Sequence, residues 1–520
     1  MTVVYPAGVR PIATIIGAGV FKWLCSGYSV RMDHSKAPVL EALQAFRELG
    51  FTPFNPPGHR QGRGVDPRVL EVVGEAVFAS DVISVNGLDD RLMRNGVIEQ
   101  AQQLMADAVD ADQAFFSTCG SSLSVKSAML SVAGPHEKII IPRHVHKSVV
   151  AGLILSGVSP VWLSPHWDAE RHLSHPPGAE EVRKLFEAEP EAKGMLLVTP
   201  NDYGTCGDIK AVADVCHEFG KPLIVDEAWG AHLPFHPDLP QWGMDAGADV
   251  VVTSVHKSGA AVEQSSVFHL QGDLVDPSAL KNREDLLGTT SPTSLVYATL
   301  DGWRRHMVQQ GKAMLTAALA LAHSTRTSIN ELPGLRVMGE DEFTGPGLAH
   351  ALDPLKMVID LAELNISGYQ AADWLREHQR VTVGLSDHRR IVAQFTHADD
   401  HRTAAVLLDA LSALVKAADD MPAPPAVDLP TPEELQLETA MLPRDAFFAE
   451  VEQVPAEKAV GRISAEMVTP YPPGAPAVLP GEVINQAVVD YVRSGLDAGM
   501  ELPDPADSEL KSFRVVARKR

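Results

Sequence analysis

Hydrophobic positions along the chain alternate between two periodicities. Short continuous apolar runs recur at Ala114-Phe115-Phe116, Lys138-Ile139-Ile140-Ile141, Met195-Leu196-Leu197-Val198, Pro222-Leu223-Ile224-Val225, Val250-Val251-Val252 and Ser266-Val267-Phe268-His269-Leu270. Between them lie stretches with helical spacing: Leu40, Leu43, Phe46 and Leu49 before Gly50, then Ile98, Ala101, Leu104, Met105 and Ala108, then Val125, Met129 and Val132, then Ile209 to Phe219. Strands that are apolar at every position are buried on both faces, and their alternation with helices predicts an α/β fold with a mostly parallel sheet covered by helices. After a long helical region from Ser294 to Thr325, a smaller α/β unit is expected, with strands near Lys356–Asp360 and Ile391–Phe395 and a helix through Tyr369, Ala372, Leu375 and Arg376. Met421-Pro422-Ala423-Pro424-Pro425 opens a Pro-rich linker. The expected organisation is therefore an extension (1–31), a large domain (32–330), a small α/β domain (331–420), a linker (421–432) and a C-terminal domain (433–520).

Composition narrows the function classes. A net charge of -23 and 45% hydrophobic residues describe a globular chain and argue against nucleic acid or an anionic membrane as partner. The four cysteines, Cys25, Cys119, Cys206 and Cys216, have no CxxC spacing, so neither a disulfide framework nor a metal site is expected and a reducing cytoplasm is the default. Ile12 to Cys25 is apolar but is interrupted by Lys22 and too short to span a bilayer; residues 1–31 are read as an extension rather than a targeting signal.

The strand ends carry the chemistry, because ligands of such sheets sit beyond them. The run Asp249-Val250-Val251-Val252-Thr253-Ser254 stops at Val255-His256-Lys257-Ser258-Gly259, so a buried strand delivers a hydroxyl, an imidazole and an amine together. Such an amine can act as a nucleophile, although a surface lysine after a strand is the commonplace alternative. Gly120-Ser121-Ser122 joins a strand to a helix N-terminus, an arrangement that suits phosphate, while serine is also simply a good N-cap. His146 and the pair Asp226 and Trp229 follow two further strands. Each has a bland reading as a core or turn residue. Jointly, a phosphate cradle, an imidazole, a carboxylate and a lysine are the parts needed to hold pyridoxal 5′-phosphate, with the lysine forming an imine and the carboxylate keeping the ring nitrogen protonated.

These motifs resemble the Orn/Lys/Arg decarboxylase family. Pro57-Gly58-His59-Arg60, His146-Lys147-Ser148, Asp226-Glu227-Ala228-Trp229-Gly230-Ala231-His232, Ser254-Val255-His256-Lys257 and Thr289-Thr290-Ser291-Pro292 match its segments in order. Pro443 to Phe448, Thr469 to Gly474 and Pro480-Gly481-Glu482 match its C-terminal domain. The resemblance runs from about residue 33 to the end. It implies the aspartate-aminotransferase fold: a mostly parallel seven-stranded sheet that binds pyridoxal phosphate, a smaller α/β domain and a C-terminal α+β domain. It also implies decarboxylation of arginine, lysine or ornithine to the amine and CO2, as in polyamine biosynthesis. Another Cα reaction on a basic amino acid, transamination or oxidation, is the alternative.

Carried over by residue, the resemblance makes Lys257 the lysine that bears the cofactor, Asp226 the partner of its ring nitrogen and His146 the stacking ring. Ser121, Ser122, Ser254 and His256 would contact phosphate, and Trp229 would lie beside the cofactor. Thr290 and Ser291 would reach the phosphate of a neighbouring subunit, implying a homodimer or higher oligomer with shared sites. Lys257 or His256 would return the proton to Cα. Glu466 and Glu457 are the candidates to bind the cationic side chain of the substrate. Gly-Ser-Ser stands where the family often has Gly-Thr-Ser, which keeps the hydroxyl. The chain shows no counterpart of the N-terminal wing of the family's large inducible enzymes, so a decamer built through that domain is not expected.

Overall fold

Alternate residues of the central strands enter two different cores. Ile139, Ile141, Leu196, Ile224, Val250, Val252 and Phe268 pack together on one face of the sheet. Ile140, Met195, Leu197, Leu223, Val225, Val251 and Val267 pack on the other. The period of two and the full burial of both sets explain why the sequence shows unbroken apolar runs. Each such side chain contributes about 1.5–3 kcal/mol on burial. The protein is described by a computed structural model covering residues 32–83, 88, 96–431, 433–470 and 474–518. The expectation for residues 1–31 lies outside these, as do Tyr471, Pro472 and Pro473 of the C-terminal motif.

The sheet has seven strands: β1 (Gln113–Ser117), β2 (Lys138–Pro142), β3 (Ser159–Leu163), β4 (Met195–Val198), β5 (Leu223–Asp226), β6 (Val250–Ser254) and β7 (Ser266–Leu270). Their order is β1-β7-β6-β5-β4-β2-β3, and β7 alone runs against the others. This is the mostly parallel seven-stranded sheet expected. Helices α1 (Pro38–Leu49), α2 (Val97–Ala108), α3 (Gly120–Val132), α4 (Lys147–Ser156), α5 (Ile209–Glu218) and α6 (Ser294–Asn330) accompany it.

Register brings the chemistry to one edge. Ser117, Ser266 and Ser254 are neighbours across β1, β7 and β6, and Val198, Asp226 and Val252 across β4, β5 and β6. The first strand ends at Ser117, two residues earlier than the polar run through Cys119 suggests. The chain must turn there to bring Gly120 into a left-handed conformation (φ 76) at the head of α3.

A second sheet is antiparallel, with β8 (Arg336–Val337), β9 (Lys356–Asp360), β10 (Leu385–Ser386) and β11 (Arg390–Gln394) in the order β8-β9-β11-β10, packed with α7 (His401–Ala418). Leu315 and Ile329 of the long α6 share one core with Met357 and Ile359 of β9. The C-terminal portion pairs β12 (Val451–Pro455) with β13 (Ser512–Val516) beside α8 (Gln486–Asp497), around Val454, Val488, Val492, Phe513 and Val515. No helix among the described residues is long and apolar enough to cross a membrane.

Candidate active site

Lys257 stands in a single helical turn, Val255–Ser258, directly after β6. Its amine lies 4.3 Å from the centre of the Trp229 ring. Trp229 is fixed in turn, because its indole N–H donates to Asp202 Oδ1 at 3.0 Å and its carbonyl accepts from Ser258 Oγ at 3.2 Å. The turn after β6 is therefore tied to the turn after β5. His256 donates Nδ1–H to the Ser265 carbonyl at 3.1 Å. That bond leaves Nε2 as the free lone pair. Burial, with the positive charge of Lys257, lowers the His256 pKa; the Ser265 carbonyl opposes this.

Asp226 ends β5 and is buried, and its Oδ1 has no hydrogen-bond partner. Burial raises its carboxyl to about 6, against the pull of the nearby Lys257 amine and the Ala228 N–H. A buried carboxylate oxygen without a donor is costly, and a protonated ring nitrogen is the kind of donor that would satisfy it. His146 caps α4: its Nδ1 accepts from the Ser148 N–H at 3.2 Å, which leaves the ring proton on Nε2. Burial first, and then Lys257, lowers the His146 pKa to about 4, so the ring is neutral.

The head of α3 supplies the anion site. No side chain caps its first turn, so backbone N–H groups at Ser121 and Ser122 face outward from the N-terminus. Ser254 Oγ donates to Ser121 Oγ at 2.6 Å, which links the lysine strand to this turn. Ser122 is exposed beside it. Three hydroxyls, an uncapped helix end, an unpaired buried carboxylate and an amine on an indole face fit pyridoxal 5′-phosphate.

Among the described residues, the other expected residues make no hydrogen bond or ion pair with this cluster. Thr290 and Ser291 are exposed in the turn before α6, where the Ser291 N–H donates to Thr289 Oγ1 at 3.2 Å. Glu466 is buried, and its two oxygens accept from the Ala506 and Arg514 N–H groups at 2.8 and 2.6 Å. Glu457 is exposed at Ala456–Lys458. Neither acid has a hydrogen bond or ion pair to Lys257, Asp226 or His146.

Three further residues belong to the site and were not singled out from the sequence. Asp202, on the turn after β4, holds Trp229; its place at a strand end was the available signal. Lys356, at the start of β9, puts its amine 3.3 Å from the centre of the same indole. Asp504 accepts from the Lys147 amine at 2.9 Å, and its Oδ2 is buried without a partner. The Lys356 and Asp504 side chains come from distant parts of the chain, and nothing local marks them.

This sheet, with a lysine leaving β6 and an acid ending β5, belongs to the aspartate-aminotransferase class of folds. The constitutive lysine decarboxylase of E. coli superposes with a TM-score of 0.77 over 93% of this chain and 82% of that one, at 21% identity. Ureidoglycine–glyoxylate aminotransferase of Bacillus subtilis superposes with a TM-score of 0.53 over 68% of this chain and 91% of that one, at 14% identity. Within the class, residues 37–403 match the Orn/Lys/Arg decarboxylase major domain and 433–504 its C-terminal domain. The chain belongs to the Orn/Lys/Arg decarboxylase family. It is 36% identical to the arginine decarboxylase of Bacillus subtilis (strain 168), over 94% of this chain and 99% of that protein.

Proposed function

We propose that this protein is a pyridoxal-phosphate-dependent decarboxylase of a basic amino acid, with arginine as the first substrate to test. The observation that carries the reading is the unpaired buried oxygen of Asp226 on the strand next to the one that delivers Lys257. Arginine is favoured because the relative named arginine decarboxylase is 36% identical over 94% of this chain, whereas the constitutive lysine decarboxylase of E. coli is 24% identical over 91% of it.

When bound, the cofactor supplies an electron sink for the pair left on Cα as CO2 departs. The chain's own residues do the rest. Asp226 holds the proton on the ring nitrogen, Ser121, Ser122 and Ser254 with the head of α3 hold the phosphate, and His146 and Trp229 confine the ring. Lys257 carries the cofactor and returns the proton to Cα. Lys257 is preferred to His256 for that step because burial lowers the His256 pKa and its Nδ1–H is committed to the Ser265 carbonyl. The protein works as a homodimer in the cytoplasm, with Thr290 and Ser291 completing the neighbour's phosphate site.

The test is incubation of the cofactor-loaded protein with arginine, lysine and ornithine separately, with CO2 and the organic product identified. An amine is expected. A keto acid without CO2 would replace this reading with transamination or oxidation.

A further inference from the structure

Lys356 is a second amine of the site to which the chemistry above gives no task. It comes from the second sheet and is 2% exposed. Its stem passes Gly204, where a Cβ would lie 2.7 Å from Lys356 Cγ; that glycine has φ 88 and leaves the passage open. The stem and the indole together fix the amine 3.3 Å from the centre of Trp229, on the ring that also carries Lys257.

Among the described residues, no carboxylate pairs with this amine and no acceptor takes a hydrogen bond from it. The two acids whose charge acts on it have nearer partners: Asp202 Oδ1 accepts from Trp229 at 3.0 Å, Asp353 Oδ1 accepts from the Leu355 N–H at 3.0 Å, and Asp353 Oδ2 lies 3.1 Å from His232 Nε2 without hydrogen-bond geometry. Burial lowers the Lys356 pKa to about 8, so the amine stays largely protonated at neutral pH. A buried ammonium without an acceptor is unfavourable, and an arriving anion would relieve it.

A basic amino acid brings one anion, its α-carboxylate. We propose that Lys356 receives the α-carboxylate of the incoming substrate, and so makes the site choose the amino acid over the amine that remains after CO2 has left. This assignment rests on the decarboxylase reading. The ion pair exists in the ground state and disappears with CO2, so its loss falls on KM rather than on kcat. It also gives the small-domain strand β9 a direct part in specificity.

The test uses full-length, cofactor-loaded protein in a Lys257→Ala background, where turnover is blocked, with L-arginine and agmatine titrated calorimetrically. Adding Lys356→Met is expected to weaken L-arginine roughly tenfold or more and to leave agmatine unchanged or tighter. Lys356→Arg, which keeps the charge, should restore most of the preference. Equal weakening of both ligands, or of neither, overturns the assignment. Turnover separates the two readings. A wild-type protein that releases no CO2 from any basic amino acid sinks the functional reading. An active wild type whose K356M variant still prefers L-arginine as strongly sinks only the role of Lys356.

Discussion

Trp229 donates its indole N–H to Asp202 at 3.0 Å, and on that indole rest both amines of the site, Lys257 at 4.3 Å and Lys356 at 3.3 Å from its centre. One hydrogen bond thus sets the plane against which two cations are placed. A bond to a charged acceptor is worth about 1.5–3 kcal/mol. Asp202→Ala should therefore lower kcat/KM roughly 10–100-fold. Asp202→Asn, which keeps an acceptor oxygen, should lose less. Steady-state CO2 release measures both, and wild-type turnover by Asp202→Ala would show that the indole is held by packing alone.

Asp226 couples function to stability with opposite signs. Burial raises its carboxyl from 3.8 to about 6 in the folded chain. An acid raised on folding contributes most below its unfolded pKa, and that contribution is lost as pH rises through about 4 to 6. Cofactor-free wild type should thus bear a cost of about 3 kcal/mol at pH 8 from this one group. Asp226→Asn removes the charge, so its cofactor-free form should melt higher than wild type at pH 8, with the gap closing toward pH 4. The same variant should lose nearly all turnover. Thermal melts of the stripped protein at the two pH values give the comparison; a variant that melts lower at pH 8 would mean that the carboxylate is better solvated than its burial indicates.

The C-terminal portion is pinned to the large sheet by an ion pair whose acid is buried and whose guanidinium is partly so. Arg143, just past β2, meets Glu482 with Nε at 3.0 Å and Nη2 at 2.8 Å, and donates Nη1–H to the Pro476 carbonyl at 2.8 Å. Glu482 also accepts from the Leu479 N–H at 2.8 Å. Removing one partner leaves the other uncompensated, Glu482 at 2% and Arg143 at 15% exposure, which costs up to about 3–5 kcal/mol. Glu482→Ala should lower the melting temperature sharply, and Arg143→Ala, Glu482→Leu together should recover part of the loss. If the double variant is no more stable than the single ones, the pair is not the anchor.

The elements that sequence patterning revealed are those whose burial is two-sided. Met195-Leu196-Leu197-Val198 and Val250-Val251-Val252 could only be inner strands, and register then forced Ser254 and Asp226 to the same edge. His146 was flagged by its place after a strand, where a core or turn role was equally open, and it does cap α4. Lys356 was not legible, because a lysine opening a strand of the second sheet looks like a solvated edge; what makes it part of the site is the passage beside Gly204 and the indole beyond it. Asp504 likewise acquires meaning only when the fold sets it on Lys147. Glu466 shows the converse: its place near a family motif suggested a ligand, while both its oxygens are engaged by backbone N–H groups of the C-terminal unit.

Thr290 and Ser291 give the shared-site reading its decisive test. Both hydroxyl residues are exposed, on a turn braced by the Ser291 N–H to Thr289 Oγ1 at 3.2 Å and followed by the 37-residue α6. Within one subunit the Ser291 hydroxyl meets Thr289 Oγ1 at 3.3 Å, whereas a partner's phosphate would make use of two hydroxyls held on a stiff support. A Thr290→Ala, Ser291→Ala variant should then lose the cofactor, and with it nearly all turnover, without a loss of melting temperature, because exposed side chains contribute little to folding. Lys257→Ala should be inactive for a different reason. When the two variants are mixed under conditions of subunit exchange, each hybrid dimer contains one site with the lysine from one chain and the hydroxyls from the other. Random pairing then predicts recovery of roughly a quarter of wild-type turnover. If the two inactive preparations stay at the sum of their separate rates while exchange is verified by mass, then the lysine and the hydroxyls do not meet across an interface.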